Sequence, residues 1–318
     1  MLKKNQIFEQ MNDLGAQRTP FLFIIDFLKE NGNVIPLNEL PDEIQFEINS
    51  QPKEFNSKFN LKKHPDSFEE YEKQFDFVKK NILFGNSYLV NLTCATPIEI
   101  DLSLNDIYQY SKAKYKLLWK EKFVCFSPET FVKITNGRIY SYPMKGTIDA
   151  SVKNAAQKIL ADKKEMAEHY TIVDLIRNDL SKVAKEVSVP RFRYIEEIQT
   201  NEKTLLQVSS EISGKLPQDF HLHLGTIFDE LLPAGSICGA PKDKTVEIIL
   251  EAENYDRNFY TGVFGVFDGE NVDSAVMIRF MESEENGWVF KSGGGITHQS
   301  AAKDEYNEMI DKIYVPIN

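Results

Sequence analysis

An α+β fold is the class this sequence predicts, and three observations carry it. Candidate strands and helices come in runs rather than in strict alternation, which sets the chain apart from doubly wound βαβ proteins. Two hairpin signals, Asn136-Gly137 and Asp268-Gly269-Glu270-Asn271, each join two stretches rich in β-branched and aromatic residues. Helical readings fall outside these hairpins, at 67–84, 152–185 and 301–313.

In chain order, residues 20–27 (Pro-Phe-Leu-Phe-Ile-Ile-Asp-Phe) read as a buried strand. Residues 29–66 are polar, carry Pro36, Pro41, Pro52 and Pro65, and read as irregular structure or a linker. Phe68, Tyr71, Phe75, Phe77, Val78 and Ile82 follow an approximately helical spacing over 67–84. After the turn residues Gly85-Asn86, Tyr88 to Thr93 is a strand. Asn136-Gly137 predicts a type I′ turn between strands 131–135 and 138–142. Helices follow over 152–169 and 171–185, then a strand near 204–213, then a helix from Gly239-Ala240-Pro241 to about Glu253. Strands 260–268 and 272–281 form the second hairpin. Strand 287–292 leads into Gly293-Gly294-Gly295, and a last helix covers 301–313.

Composition narrows the function. With 48 acidic and 37 basic side chains among 318 residues the net charge is -11, which argues against a nucleic-acid partner. The longest apolar run, Phe21 to Leu28, contains Asp26 and is too short to span a bilayer, and the residues after Met1-Leu2-Lys3-Lys4-Asn5 do not read as a signal peptide. Cys94, Cys125 and Cys238 are odd in number and widely spaced, which implies neither a disulfide framework nor a zinc site. The expectation is a soluble, cytoplasmic protein without a membrane partner.

The chemistry-bearing residues begin at the first hairpin. A two-residue turn pairs Thr135 with Arg138, so in an unbroken ladder Glu129 faces Met144 and Lys145 faces Pro128. Glu129 and Lys145 are then diagonal neighbours that an ideal pleat points to opposite faces, with Pro143 placed to break the ladder. An acid beside an amine suits displacement of a hydroxyl, one group attacking carbon while the other protonates the leaving oxygen. From spacing alone a surface ion pair is the commoner arrangement. The glycine triplet read as a loop before a helix would expose backbone N–H groups to an anion. Glu305, Glu308 and Lys312 share one face of that helix, where two carboxylates suit Mg²⁺ and the lysine suits a substrate carboxylate; a solvated Glu–Lys face is the plain alternative. Glu165, Glu168 and His169 share a helical face that reads either as metal ligands or as ordinary helix charge. Asp174, Arg177, Asn178 and Asp179 read as residues that cap and pin helices. The loop Gly235-Ser236-Ile237-Cys238-Gly239-Ala240-Pro241-Lys242 resembles a phosphate loop but lacks the Walker and dinucleotide spacings. Arg279, closing the strand Ala275-Val276-Met277-Ile278, suits either bidentate carboxylate recognition or an exposed strand edge.

Taken together and in order, seven segments resemble the chorismate-utilising enzymes, a family that includes anthranilate, aminodeoxychorismate, isochorismate and salicylate synthases. They are Gly85 to Thr93, Ser127-Pro128-Glu129, Pro143 to Thr147, Asp174 to Asp179, Gly235 to Lys242, Tyr260 to Gly265, and Gly293 to Glu308. The resemblance spans roughly residues 67–315 and implies a β-sandwich core of two sheets flanked by helices. It divides the chain into a short N-terminal segment, 1–66, adding strands to the same domain, and a chorismate-binding catalytic core, 67–318. Within the family, anthranilate synthases resemble Pro-Ile-Ala-Gly-Thr where this chain has Pro-Met-Lys-Gly-Thr; a lysine there is similar to aminodeoxychorismate synthases that act covalently. The resemblance implies Lys145 as nucleophile, Glu129 as acid, and Mg²⁺ as cofactor on Glu168, Glu305 and Glu308. It implies Thr147, Gln207, Cys238, Tyr260, Arg279, Gly293, Gly294, Gly295 and Lys312 as substrate-binding residues. Two of these depart from the family pattern, Gln207 standing where many members carry His and Cys238 where Thr is usual. The partners implied are chorismate, ammonia and a glutamine amidotransferase subunit, for 4-aminobenzoate and folate synthesis.

Overall fold

Two antiparallel sheets facing one another, with helices on their outer sides, form the core of the computed structural model, which describes residues 1–51, 53–199, 204–285 and 287–317. The larger sheet runs in the order Leu2–Lys3, Asn31–Pro36, Phe21–Ile25, Val263–Phe267, Val272–Val276, Thr130–Thr135, Arg138–Ser141, Thr204–Lys215, Met144–Asp149, and Lys185–Gln199 pairs alongside Thr204–Lys215. The smaller sheet runs Gly239–Ala240, Leu89–Ile100, Gly287–Ile296, Phe280–Glu284, Phe123–Ser127, Tyr115–Trp119, Ile44–Ile48, with Leu61–Lys63 beside Leu89–Ile100. The α+β class read from the sequence is what the chain adopts.

Strand alternation explains the layers. Tyr115, Leu117 and Trp119 meet Leu22, Ile24, Phe264 and Phe280 between the sheets, while their neighbour Leu118 belongs to the outer core under the helices. Lys116, almost fully buried, reaches Glu47 at 2.7 Å and the Tyr108 carbonyl at 3.0 Å, so its charge is paired where it leaves water. The helix Phe68–Phe84 starts on a capping box between Ser67 and Glu70 and stops where Gly85 turns left-handed at φ 89°. It packs with Ala302–Asp311 against the smaller sheet, and Lys163–Val183 lies on the larger one. Among the described residues no helix is long and apolar enough to cross a membrane.

Several elements differ from the expected ones for physical reasons. The polar stretch 29–66 holds strands Asn31–Pro36, Ile44–Ile48 and Leu61–Lys63, which join both sheets. Helix Lys4–Ala16 has no counterpart in the sequence reading. The break between the two middle helices falls at Asp162, which caps Lys163–Val183 by accepting from the Glu165 N–H at 3.0 Å, and not near 170. Strand Lys185–Gln199 carries three register shifts and left-handed residues at Glu186 and Arg193, which erase its period-2 signature. The run 272–281 is two strands in two sheets, because Met277–Arg279 carries the chain from one to the other.

A second crossing, Pro128-Glu129, links Phe123–Ser127 to Thr130–Thr135. The two crossings are laced together: the Phe126 N–H donates to the Arg279 carbonyl at 3.1 Å, and the Val276 N–H donates to the Glu129 carbonyl at 3.2 Å.

Behind them sits a buried ion pair, Arg257–Glu253 at 2.6 Å, each side chain 2 % exposed. Arg257 also donates to the carbonyls of Asn91 at 2.6 Å and Ile237 at 3.2 Å, and Glu253 accepts the Thr93 N–H at 2.8 Å. Arg257→Ala therefore leaves a buried carboxylate unpaired and is expected to cost about 3–5 kcal/mol in urea unfolding. A loss below about 1 kcal/mol would show that Glu253 is satisfied without it.

Candidate active site

The first hairpin forms as its turn predicts, with Asn136 and Gly137 left-handed and Arg138↔Thr135, Ile139↔Ile134 and Tyr140↔Lys133 in register. That ladder does not continue to Glu129 and Met144. Glu129 lies in the sheet crossing, and Pro143 has no N–H to give. The next strand, Met144–Asp149, pairs instead with Thr204–Lys215, as Met144↔Ser209 and Lys145↔Val208.

A bulge then sorts the side chains. Gly146, at φ 79°, is the extra residue between Lys145↔Val208 and Thr147↔Gln207. Lys145 faces the helix Lys163–Val183, its Nζ 3.3 Å from Glu168 Oε2. Thr147 and Gln207 fall on the other face, with Thr147 exposed, so the structure does not bring these two to Lys145. His169 does not share Glu168's surroundings either. It is fully buried, its Nε2 2.7 Å from Ser210 Oγ, and burial pushes its pKa down to about 4, so the ring is neutral at pH 7.

The floor comes from the smaller sheet. Gly293, Gly294 and Gly295 are not a loop before a helix but the end of strand Gly287–Ile296, paired with Thr93, Leu92 and Asn91. Their value lies in what a side chain there would meet. A Cβ at Gly295 would stand 3.7 Å from Lys145 Nζ, and one at Gly294 would stand 3.3 Å from Glu305 Oε2 and 3.6 Å from Lys312 Nζ. Lys312 pairs with Glu308 at 2.7 Å and donates to the Gly293 carbonyl at 2.8 Å. The Gly294–Gly295 backbone therefore lies between Lys145 and the helix-borne Glu305, Glu308 and Lys312. Among the described residues no three acidic, histidine or cysteine side chains stand close enough to make a ready metal cage. The donors on offer, carboxylate oxygens alone, have the hardness that a divalent cation such as Mg²⁺ takes.

Glu129 enters from the crossing, half-buried, and its Oε1 accepts a hydrogen bond from Ser236 Oγ at 2.5 Å. Burial pushes its pKa up, against the lowering effects of the Ser236 hydroxyl and of the Lys145, Arg279 and Lys312 charges. Arg279 is held at φ 54° in the Met277–Arg279 crossing, its guanidinium 5.3 Å from the Tyr314 ring centre. Tyr260 is buried against Phe280, and its hydroxyl is pushed above the usual phenol range by burial despite the nearby Arg257 and Arg279. Cys238 is fully buried, contacting the Lys242 carbonyl at 3.9 Å, and burial pushes its thiol up to about 11. It packs the loop from beneath and does not line the cavity around Lys145.

That cavity, about 440 Å³, opens between the end of helix Phe68–Phe84, Lys145, Glu168 and the loop 297–299. Lys79 Nζ ties the loop down by donating to the carbonyls of Thr297, His298 and Ser300 at 3.2, 2.8 and 2.7 Å. Neither Lys79 nor Ser236 is singled out by the sequence reading. Ser236 lay inside a recognised motif and needed only a partner, whereas nothing local marks Lys79. Asp179, read as a pin, does pin: it meets Lys242 at 2.7 Å, both side chains about nine-tenths buried.

An acid, an amine and two further cations around a glycine floor suit a small polycarboxylate, and the family profile described as chorismate binding enzyme matches residues 27–318. The chain belongs to that family. A PabA-like protein of Pasteurella multocida is 49% identical over 316 residues, covering 97% of this chain and 98% of its own length. Aminodeoxychorismate synthase component 1 of Escherichia coli is 32% identical over 262 residues, 77% of this chain but 56% of that protein. The crystal structure of anthranilate synthase component I from Streptococcus pneumoniae superposes with a TM-score of 0.66 at 25% identity, over 84% of this chain and 60% of that one. The chain is thus a chorismate-utilising enzyme by family.

The glycine floor gives a direct check. Gly295→Ala places a methyl 3.0 Å from Leu89 Cδ1 and against the Lys145 amine, without touching backbone. It is expected to leave the melting temperature nearly unchanged and to cut chorismate depletion by roughly a hundredfold, the scale of a misplaced reacting group. Gly293→Ala, whose Cβ meets the Leu92 carbonyl at 2.3 Å, is expected to lower stability instead. Wild-type turnover in Gly295→Ala would remove this strand from the site.

Proposed function

We propose that this enzyme aminates chorismate at C4, giving 4-amino-4-deoxychorismate, with Lys145 as covalent nucleophile and Glu129 as acid and then base. The observation that carries the reading is the amine of Lys145 at the glycine floor, with a carboxyl of raised pKa within reach of its charge.

The reaction balances on these two groups. The neutral amine of Lys145 forms a bond to C2, both ring double bonds shift, and the C4–O bond breaks as Glu129 gives its proton to the leaving hydroxyl, which departs as water. The alkylated lysine is then a secondary ammonium and Glu129 a carboxylate. Ammonia attacks C4, the double bonds shift back, and the C2–N bond breaks to release Lys145 as a neutral amine. Glu129 takes the proton that the incoming nitrogen sheds, which resets both residues. With C2 occupied by the enzyme, nitrogen is directed to C4 and the enolpyruvyl group stays.

Arg279, Lys312 and the Tyr260 hydroxyl would hold the substrate's carboxylates, with Gly293–Gly295 giving the ring its close approach. Glu168, Glu305 and Glu308 would hold Mg²⁺, which supplies positive charge to the ring carboxylate when bound. Ammonia would come from a separate glutamine amidotransferase subunit, in keeping with the component 1 naming of the E. coli relative. The product would then feed 4-aminobenzoate and folate synthesis.

Incubation with chorismate, Mg²⁺ and ammonium, coupled to an aminodeoxychorismate lyase, is expected to yield 4-aminobenzoate. Lys145→Ala should lower that rate at least about a thousandfold, and intact mass after acid quench should show an adduct on the wild-type chain that Lys145→Ala lacks. Fluorescent anthranilate as the sole product would point instead to C2 amination, and isochorismate formed without ammonium would point to hydration.

A further inference from the structure

We infer that Ser236 is the positioning residue of Glu129: by donating to Oε1 it fixes the acidic proton on Oε2, the oxygen left to face the departing hydroxyl. The inference rests on the reading of Glu129 as the acid.

The geometry behind it is specific. A hydroxyl can donate or accept, but opposite a carboxylate it can only donate. Ser236 Oγ stands 2.5 Å from Glu129 Oε1, the length of a charge-assisted O–H···O⁻ bond. Kept as a donor when Glu129 is protonated, Ser236 makes Oε1 the carbonyl oxygen and leaves Oε2 to carry the proton. The same hydrogen bond then serves both protonation states, so neither group needs to rotate between giving and retaking the proton.

Ser236 is itself rigidly placed. It lies in the one-turn helix Gly235–Cys238, where Arg257 Nη1 holds the Ile237 carbonyl at 3.2 Å. Next along, Lys242 joins the Leu231 carbonyl at 2.6 Å to Asp179 at 2.7 Å. On the other side Glu129 is held by its own N–H, which donates to Ser127 Oγ at 3.1 Å, and by its carbonyl, bonded to Val276. The charged groups facing Glu129 are Lys145, Arg279 and Lys312, while Asp179 and Tyr142 share with it and Ser236 a cavity of about 30 Å³.

The test reads the carboxyl directly. In the full-length protein, the infrared carbonyl band of protonated Glu129 is assigned by its absence in Glu129→Gln and followed against pH. Ser236→Ala is expected to raise the protonation midpoint by about one pH unit or more, because a hydrogen bond to the ionised form is lost. It should also lower kcat by roughly tenfold to a hundredfold with little change in KM. Ser236→Thr, which keeps the hydroxyl, should restore both. An unmoved midpoint in folded Ser236→Ala, or folded Ser236→Thr behaving like Ser236→Ala, would overturn the inference. Full turnover in Glu129→Gln would instead sink the acid reading on which it rests, whatever the infrared midpoint does.

Discussion

Two backbone hydrogen bonds between the sheet crossings hold the rest of the site in place. By tying Phe126 to Arg279 and Val276 to Glu129, they fix the points at which the chain leaves one sheet for the other. A crossing is where a side chain is freed from the alternation of a strand, so it can aim an acid or a guanidinium along the seam between layers rather than into a core. Glu129 and Arg279 occupy those two positions, and Arg279 takes a left-handed backbone to do so. The buried Arg257–Glu253 pair backs this seam by joining Asn91, Thr93 and Ile237, one residue from Ser236. The active end of the molecule is therefore set by main-chain geometry before any substrate is considered.

The readable parts of the fold were those whose signal is local. Asn136-Gly137 specifies a turn from two residues, and its register follows by counting, as the structure bears out as far as Tyr140. Ser67, Glu70 and Gly85 mark both ends of one helix. The parts that escaped depend on what a residue faces. The run from Val272 to Met281 keeps its apolar residues buried on both sides of the change of sheet, with Ala275 to Ile278 apolar without a break, so nothing in its composition announces the crossing at Met277–Arg279. Strand Lys185–Gln199 shifts register three times and loses its alternation.

The site was legible as a set of residues and much less so as an arrangement. Lys145, Glu129, Glu168, Glu305, Glu308, Lys312 and the glycines gather at one end of the two sheets, from segments far apart in sequence. Thr147, two residues from Lys145, does not join them, because one left-handed glycine moves it to the opposite face together with Gln207. Spacing along a chain cannot show a single-residue bulge whose glycine looks like any other. The glycine triplet was informative for a different reason from the one its composition invites: in a paired strand its backbone is already bonded, and its contribution is the absence of side chains between two charged groups.

That arrangement bears on how a chain of net charge -11 takes a dicarboxylate. Both lysines it offers are already engaged, Lys145 with Glu168 at 3.3 Å and Lys312 with Glu308 at 2.7 Å, while Arg279 lies against the Tyr314 ring. At these distances a substrate carboxylate must compete with a glutamate for each lysine, and the displaced glutamate then needs a positive partner of its own. In the proposed reaction the same exchange would govern attack by Lys145, since a lysine must present a lone pair to carbon to act as a nucleophile. Recognition and activation are thus coupled through the same ion pairs. In the proposed reaction Glu168 is the residue on which both turn, because its release from Lys145 would precede bond formation at C2.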